Sequence, residues 1–225
     1  QNLPVVFAID RAGLVGSDGE THQGIFDLTY LSGIPNMHIC APKNKWELSD
    51  MMKFAVGLKA PVAVRYPRGT AYAGLKEFRA PVELGRAEWI YRESEIALFA
   101  VGSMVETAEK VRNALKEEGR SVSLVNARFV KPIDKEAIME ACKTHRLIVT
   151  MEENVGSGGY GEQVLHYISE MKSGCLVIQI CIPDTFVEHG SVEKLRKEIG
   201  IDAESIVERI HKADQGRAGR ESVYR

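Results

Sequence analysis

The sequence predicts an α/β protein: a truncated doubly wound domain followed by a second α/β domain. Three observations predict it. Short apolar runs alternate with amphipathic helical segments, the pattern of strands and crossover helices in a parallel sheet. That alternation stops across residues 71–84, which have no strong period, and then restarts. Charged, glycine-punctuated loops follow several runs, at the carboxyl ends of strands where open α/β folds place ligands. The expected units are residues 1–80 and 81–225.

Residues 3–9 form the first expected strand, and the lack of polar alternation predicts burial on both its faces. A charged loop follows, then a helix over 25–31 with Thr21 as its expected cap and Ile25, Leu28 and Leu31 inward. A strand over 37–41 ends at Pro42. The helix expected over 45–56 has Trp46, Met52 and Ala55 as its core positions, and residues 61–66 form a third strand. Past the linker, strands are expected over 96–101, 122–126, 147–152 and 176–180. Helices are expected over 105–118, 135–142, 162–171, 192–199 and 203–212. Val105, Ala108, Val111 and Leu115 share one helical face, and Gly119 is placed to end that helix in a left-handed conformation. Residues 215–225 read as a polar tail that frays.

The 225 residues are 44% hydrophobic and 27% charged, with a net charge of -2. This balance speaks against a nucleic-acid surface, which needs a basic stripe. No apolar run approaches the roughly 20 residues of a membrane span. Four cysteines without a CxxC pattern read as reduced core thiols of a cytoplasmic protein. A core strand beginning within a few residues of Gln1, with neither initiator methionine nor signal pattern, leads us to expect a fragment or a processed chain.

The candidate chemistry concentrates in VVFAIDRAGLVGSDGETHQG. Asp10, Arg11, Asp18, Glu20 and His22 crowd one loop, where a histidine titrating near neutrality and a carboxylate to orient it suit acid–base work; the plain alternative is a solvated turn. Arg11 and Arg68 each follow a strand end, and two guanidiniums at one site suit a phosphate or carboxylate; alternatively both are structural ion pairs to Asp10 or other acids. Arg65 lies nearer the strand interior and reads as a buried structural pair. Gly156–Gly161 matches GxGxxG between a strand and a helix. However, the acid expected at the end of the next strand is missing, and Glu152 and Glu153 would repel a pyrophosphate. That loop therefore reads as a tight turn or interdomain contact rather than a nicotinamide site. His189, on a loop near a strand end, is a further candidate for approach to the site. No metal constellation is visible.

Together, FAIDRAGLVGSDGETHQG, AVRYPRG, NARFVKPID, VTMEENVGSGGYGE and IPDTFVEHG resemble the 1-deoxy-D-xylulose-5-phosphate synthases, thiamine-diphosphate-dependent relatives of transketolase. The resemblance runs from about residue 3 to about residue 212. It implies the latter part of a pyrimidine-binding domain over 1–80 and a transketolase C-terminal-like domain over 81–225. It also implies condensation of pyruvate with D-glyceraldehyde 3-phosphate, releasing CO2, to a precursor of isoprenoids, thiamine and pyridoxal. By the same resemblance Arg11 and Arg68 bind the acceptor's phosphate, while Asp18 and His22 line the reacting centre. The family's thiamine diphosphate and Mg2+ are held mainly by motifs that this sequence does not contain, so the chain alone is expected to be inactive. A missing amino-terminal domain and a homodimer are the implied protein partners. Two other readings stay open at this point: a non-catalytic dimerisation or docking fragment, and a β subunit of a 2-oxo-acid dehydrogenase.

Overall fold

The computed structural model describes residues 2–223, with side chains as far as residue 215. The first half runs β1 (Val6–Ile9), α1 (Asp27–Ser32), β2 (His38–Cys40), α2 (Lys45–Gly57) and β3 (Val62–Arg65). After an irregular stretch come β4 (Glu88–Tyr91), β5 (Glu95–Ala100), α3 (Met104–Glu117), β6 (Val122–Asn126) and β7 (Phe129–Lys131). The chain continues with α4 (Lys135–Thr144), β8 (His145–Val155), α5 (Tyr160–Glu170), β9 (Leu176–Ile182), α6 (Val192–Glu198) and α7 (Ala203–Val223). Among the described residues no helix is long and apolar enough to cross a membrane.

Two sheets result. One has four strands in the order β1-β3-β2-β7, the other five in the order β4-β6-β5-β8-β9. The expected strands pair in parallel, as crossover helices require. Two antiparallel strands were not anticipated. In β4, the inward positions are Glu88 and Ile90, and the acid masks the apolar alternation. Strand β7 is only three residues long, and it leaves the second half to pair with β2 of the first.

The strand β1 departs from expectation. It is an edge strand bonded only to β3, so Phe7 is 44% exposed rather than buried on both faces. An apolar run reads the same whether its outer side is covered or open. Helix α1 begins after Phe26 without a side-chain cap, because the Thr21 hydroxyl lies within the preceding loop, 2.8 Å from the His22 ring. On α2 the inward residues are Glu47, Met51 and Ala55. Trp46 is instead half-buried beneath the ammonium groups of Lys45 and Lys76. The amphipathic face of α3 is as expected, and Gly119, at φ 81°, follows its last turn. Helix α7 runs past Lys212 to Val223, so most of the expected polar tail is helical; Tyr224 and Arg225 lie outside the described residues.

One apolar core joins the halves. Leu28, Leu31, Ile39 and Ala63 of the first sheet and its helix pack with Phe99, Val125, Ile138, Tyr160 and Val164 of the second unit. Beside it lies a buried ionic cluster. The Lys43 ammonium donates to Glu88 at 2.6 Å and Glu47 at 3.2 Å, while Arg128 donates to Glu47 at 2.7 Å and pairs with Glu88 at 3.1 Å. The Asn126 amide donates to both Glu47 oxygens at 2.9 Å. All four charged side chains are at most 5% exposed. Burial pushes the Glu88 carboxyl up, but Lys43, Arg128 and the Ala80 amide outweigh it and hold it below its ordinary value. Two cations balance two carboxylates, so the loss of one leaves an uncompensated buried charge. We predict that Arg128→Ala costs about 3–5 kcal/mol in urea denaturation. Arg79→Ala, which removes an exposed pair with Asp50, is expected to cost less than about 1 kcal/mol.

Candidate active site

The loop that follows β1 folds back on its own neck. Gly24 N donates to Arg11 O at 2.9 Å and Gly13 N to Gly24 O at 2.8 Å, closing residues 12–24 into a compact loop. Arg11 adopts φ 57°, a left-handed backbone that side-chain-bearing residues rarely take and that functional sites often retain. The neck is held from below by Arg65. Its guanidinium donates to Asp27 at 2.7 Å, Gly24 O at 2.6 Å and Glu153 O at 2.8 Å, making it the buried structural pair expected.

Because β1 and β3 are parallel neighbours with Ile9 beside Arg65, the residues just beyond their ends come side by side. Arg11 and Arg68 converge there on Asp18. Arg11 Nε donates to Asp18 Oδ2 at 2.9 Å, and Arg68 donates to the two carboxylate oxygens at 2.7 and 2.6 Å. Arg11 also donates to Asp10 at 2.8 Å. The hydrogen bond from Arg11, reinforced by Arg68, holds the Asp18 carboxyl below the usual aspartate range, and Asp18 raises Arg11 in turn. Both guanidiniums are partly exposed and keep further N–H groups facing outward from the carboxylate.

His22 is exposed, and its Nδ1 lies 2.8 Å from Thr21 Oγ1. The orienting group beside this ring is thus a hydroxyl, while the carboxylate of Asp18 serves the arginines. His189 comes from the far end of the chain. Its ring lies against Gly19, at φ 71°, where any Cβ would overlap it. A cavity of about 310 Å³ opens between Gly16, Ser17, Arg68 and the segment Gly190–Val192. It adjoins a second of about 450 Å³ that shares Arg68 and Val192 and reaches Ser103, Glu153 and Arg196. Four residues of this region, Gln23, Glu153, Ser103 and Arg196, were not anticipated as site residues from spacing. Gln23 is buried and bonds Val187 O at 2.6 Å, while Glu153 accepts from Ser103 at 2.6 Å and from Arg196 at 2.8 Å. Each is recognisable only once distant segments are brought together.

Comparison with known proteins gives this geometry a family. Residues 85–206 match the transketolase C-terminal domain, and residues 1–72 match the transketolase pyrimidine binding domain. The chain belongs to the transketolase family. Among its relatives are proteins named 1-deoxy-D-xylulose-5-phosphate synthase. That of Lachnoclostridium phytofermentans is 51% identical over 92% of this chain and 33% of the relative. That of Aquifex aeolicus is 43% identical over 96% of this chain and 34% of the relative. This transketolase-family chain therefore spans about a third of the length of these relatives. A solved structure titled as a split gene transketolase, inactive beta4 tetramer, is similar with a TM-score of 0.82 at 27% identity, covering 94% of this chain and 67% of that one. Transketolase from Campylobacter jejuni shares the fold, with a TM-score of 0.71 at 20% identity over 92% of this chain and 31% of its own.

The glycine-rich loop of this family member has an occupant from the chain itself. Glu152 accepts from Tyr160 N and Gly161 N, both at 2.8 Å, and Glu162 accepts from Gly158 N. The amides that a pyrophosphate would need at the start of α5 are already satisfied. The loop instead docks on the first half, where Thr29 donates to Ser157 O at 2.6 Å. Among the described residues no group of three or more His, Cys, Asp or Glu side chains is placed to hold a metal ion. At this loop the described residues thus do not fit a diphosphate, and no chemical step is assigned through the cofactor.

Glu152 also makes stability depend on pH. Burial pushes its carboxyl up and the two amides only partly offset this, leaving it at about 7 against an ordinary 4.5. The folded chain keeps a proton that the unfolded chain has released, so this contribution to stability is full below about pH 4.5 and is lost as pH rises through about 7. We predict that Glu152→Gln removes a component of about 2 kcal/mol from the difference in urea stability between pH 5 and pH 8. Glu152→Ala, which orphans two buried amides, is expected to cost about 2–4 kcal/mol at either pH.

Proposed function

We propose that this chain is the carboxy-terminal part of a thiamine-diphosphate-dependent synthase that joins pyruvate to D-glyceraldehyde 3-phosphate, giving 1-deoxy-D-xylulose 5-phosphate and CO2. Residues 1–80 are then part of its pyrimidine-binding domain and residues 81–225 its C-terminal domain. The observation that carries this reading is the convergence of Arg11 and Arg68 on Asp18 at two adjacent strand ends. Relatives that bear the synthase name, at 43–51% identity over nearly the whole chain, support it.

In this reading Arg11 and Arg68 grip the acceptor's phosphate, and Asp18 fixes the spacing between them. His22, steadied at Nδ1 by Thr21, supplies a proton to the aldehyde oxygen as that oxygen becomes an alkoxide. Thiamine diphosphate, which supplies the electron sink for loss of CO2, and Mg2+ belong to the part of the enzyme outside this chain. That amino-terminal part also covers the open side of β1, where Leu3, Val5 and Phe7 are exposed. The complete enzyme is a cytoplasmic homodimer.

A second reading concerns the polypeptide on its own. The same open edge, together with the likeness to a split gene transketolase titled an inactive beta4 tetramer, favours self-association without turnover. The two readings are compatible, one for the enzyme and one for this segment.

We expect no product from this chain alone when supplied with pyruvate, D-glyceraldehyde 3-phosphate, thiamine diphosphate and Mg2+, and turnover once the amino-terminal part is added. In the completed enzyme Arg68→Ala is expected to raise KM for the aldehyde phosphate about 10–100-fold. His22→Ala is expected to lower kcat about 100-fold. Product from the chain alone would overturn the placement of the cofactor, and a completed enzyme without product would overturn the function.

A further inference from the structure

The segment between β9 and α6, residues 183–191, lies across the loop that carries Asp18. Contacts at three levels join them. Gly190 N donates to Gly16 O at 3.1 Å, and the two backbones approach so closely that a Cβ at Gly16 would overlap Gly190 O. Gln23 reaches both sides, donating to Val187 O at 2.6 Å and accepting from Val15 N at 3.2 Å. The His189 ring then covers Gly19, whose left-handed backbone and bare Cα leave room for a flat group and for nothing larger on the glycine itself. Beside these contacts, Gly190–Val192 and Arg68 face each other across the cavity of about 310 Å³.

The turn under the ring is the one that presents Asp18. Both Asp18 N, at 2.9 Å, and Gly19 N, at 3.3 Å, donate to Val15 O. Asp18 alone among the described residues bridges the two guanidiniums, so the position of this turn sets the distance between them. The second unit therefore touches the turn that presents Asp18 through the His189 ring, beside its backbone contacts at Gly16 and Gln23.

We propose that His189 is a positioning residue of the phosphate site: its ring seats the Val15–Gly19 turn and, through Asp18, holds Arg11 and Arg68 at the spacing a phosphate needs. This rests on the function proposed above. It assigns the C-terminal domain a part in recognising the phosphorylated acceptor. The ring acts by shape, through its face on Gly19. A flat aromatic replacement therefore serves, and a small aliphatic one does not.

The test uses the completed enzyme. With His189→Ala, KM for D-glyceraldehyde 3-phosphate is expected to rise about tenfold. KM for pyruvate, KM for unphosphorylated glyceraldehyde and kcat should stay within about twofold. His189→Phe is expected to restore the wild-type KM, and Gly19→Ala, which pushes against the ring from the other side, to reproduce the defect. An unchanged KM in a folded His189→Ala enzyme overturns the inference, as does a loss shared equally by both aldehydes or a failure of His189→Phe to restore. A second readout needs no turnover. Inorganic phosphate should raise the thermal midpoint of the wild type, and less so that of His189→Ala. Equal stabilisation of both, or of neither, refutes the positioning role even if the synthase activity stands. A selective loss of phosphate stabilisation supports it even if the activity is absent.

Discussion

Four buried charges hold the two units in register. Lys43, Glu47, Glu88 and Arg128 sit where α2, β4 and the end of β6 meet, out of reach of water and paired in alternation. Such a cluster contributes little net stability compared with an apolar packing of the same volume. Its Lys43–Glu88 and Arg128–Glu47 pairs cross the seam: Lys43 and Glu47 come from the first unit, Glu88 and Arg128 from the second. Arg128 accepts a left-handed backbone, φ 56°, to reach Glu47 and the carbonyls of Ala80 and Pro81, so the linker is fastened by the same side chain.

The candidate site inherits this register. Arg11 and Arg68 belong to the first unit, yet the loop between them is propped by Glu153 and by Val187–Gly190 of the second. Gly13, at φ 73°, lies directly on Glu153, which in turn ties the start of α3 to the last turn of α6 through Ser103 and Arg196. A rotation of one unit against the other would shift these props and strain the pairing of β7 with β2. Placing a charged loop on such a seam gives side chains from both units access to one ligand without demanding mobility of either sheet.

The alternation of elements was legible because buried parallel strands and amphipathic helices leave different periods, and most strands and helices fall within a few residues of expectation. The pairing of Arg11 with Arg68 was legible for a related reason: parallel neighbours bring their carboxyl ends together. Other features had no local signal. The exposure of β1 depends on what lies beside it, and an apolar run is silent on that point. Glu88 in β4 and Glu47 in α2 look like surface acids until Arg128 reaches both of them, and Lys43 reaches Glu88, from distant parts of the chain. The Gly156–Gly161 loop carries the spacing of an anion cradle, but the group that fills it is the carboxyl of Glu152, a residue that local spacing alone marks only as unfavourable to pyrophosphate. His189 stood out by its loop position, whereas its seat on Gly19 follows from the fold.

The strand β7 has a consequence for synthesis of the chain. A ribosome delivers residues 6–65 long before Phe129–Lys131, so the nascent first sheet waits with β2 unpaired along the side that β7 will occupy. A three-stranded intermediate with the flank of β2 bare is a template for pairing with neighbouring chains. Productive folding in this protein is therefore a race between elongation through residue 131 and encounter with another nascent copy, and slow translation across the intervening segment favours the wrong contestant.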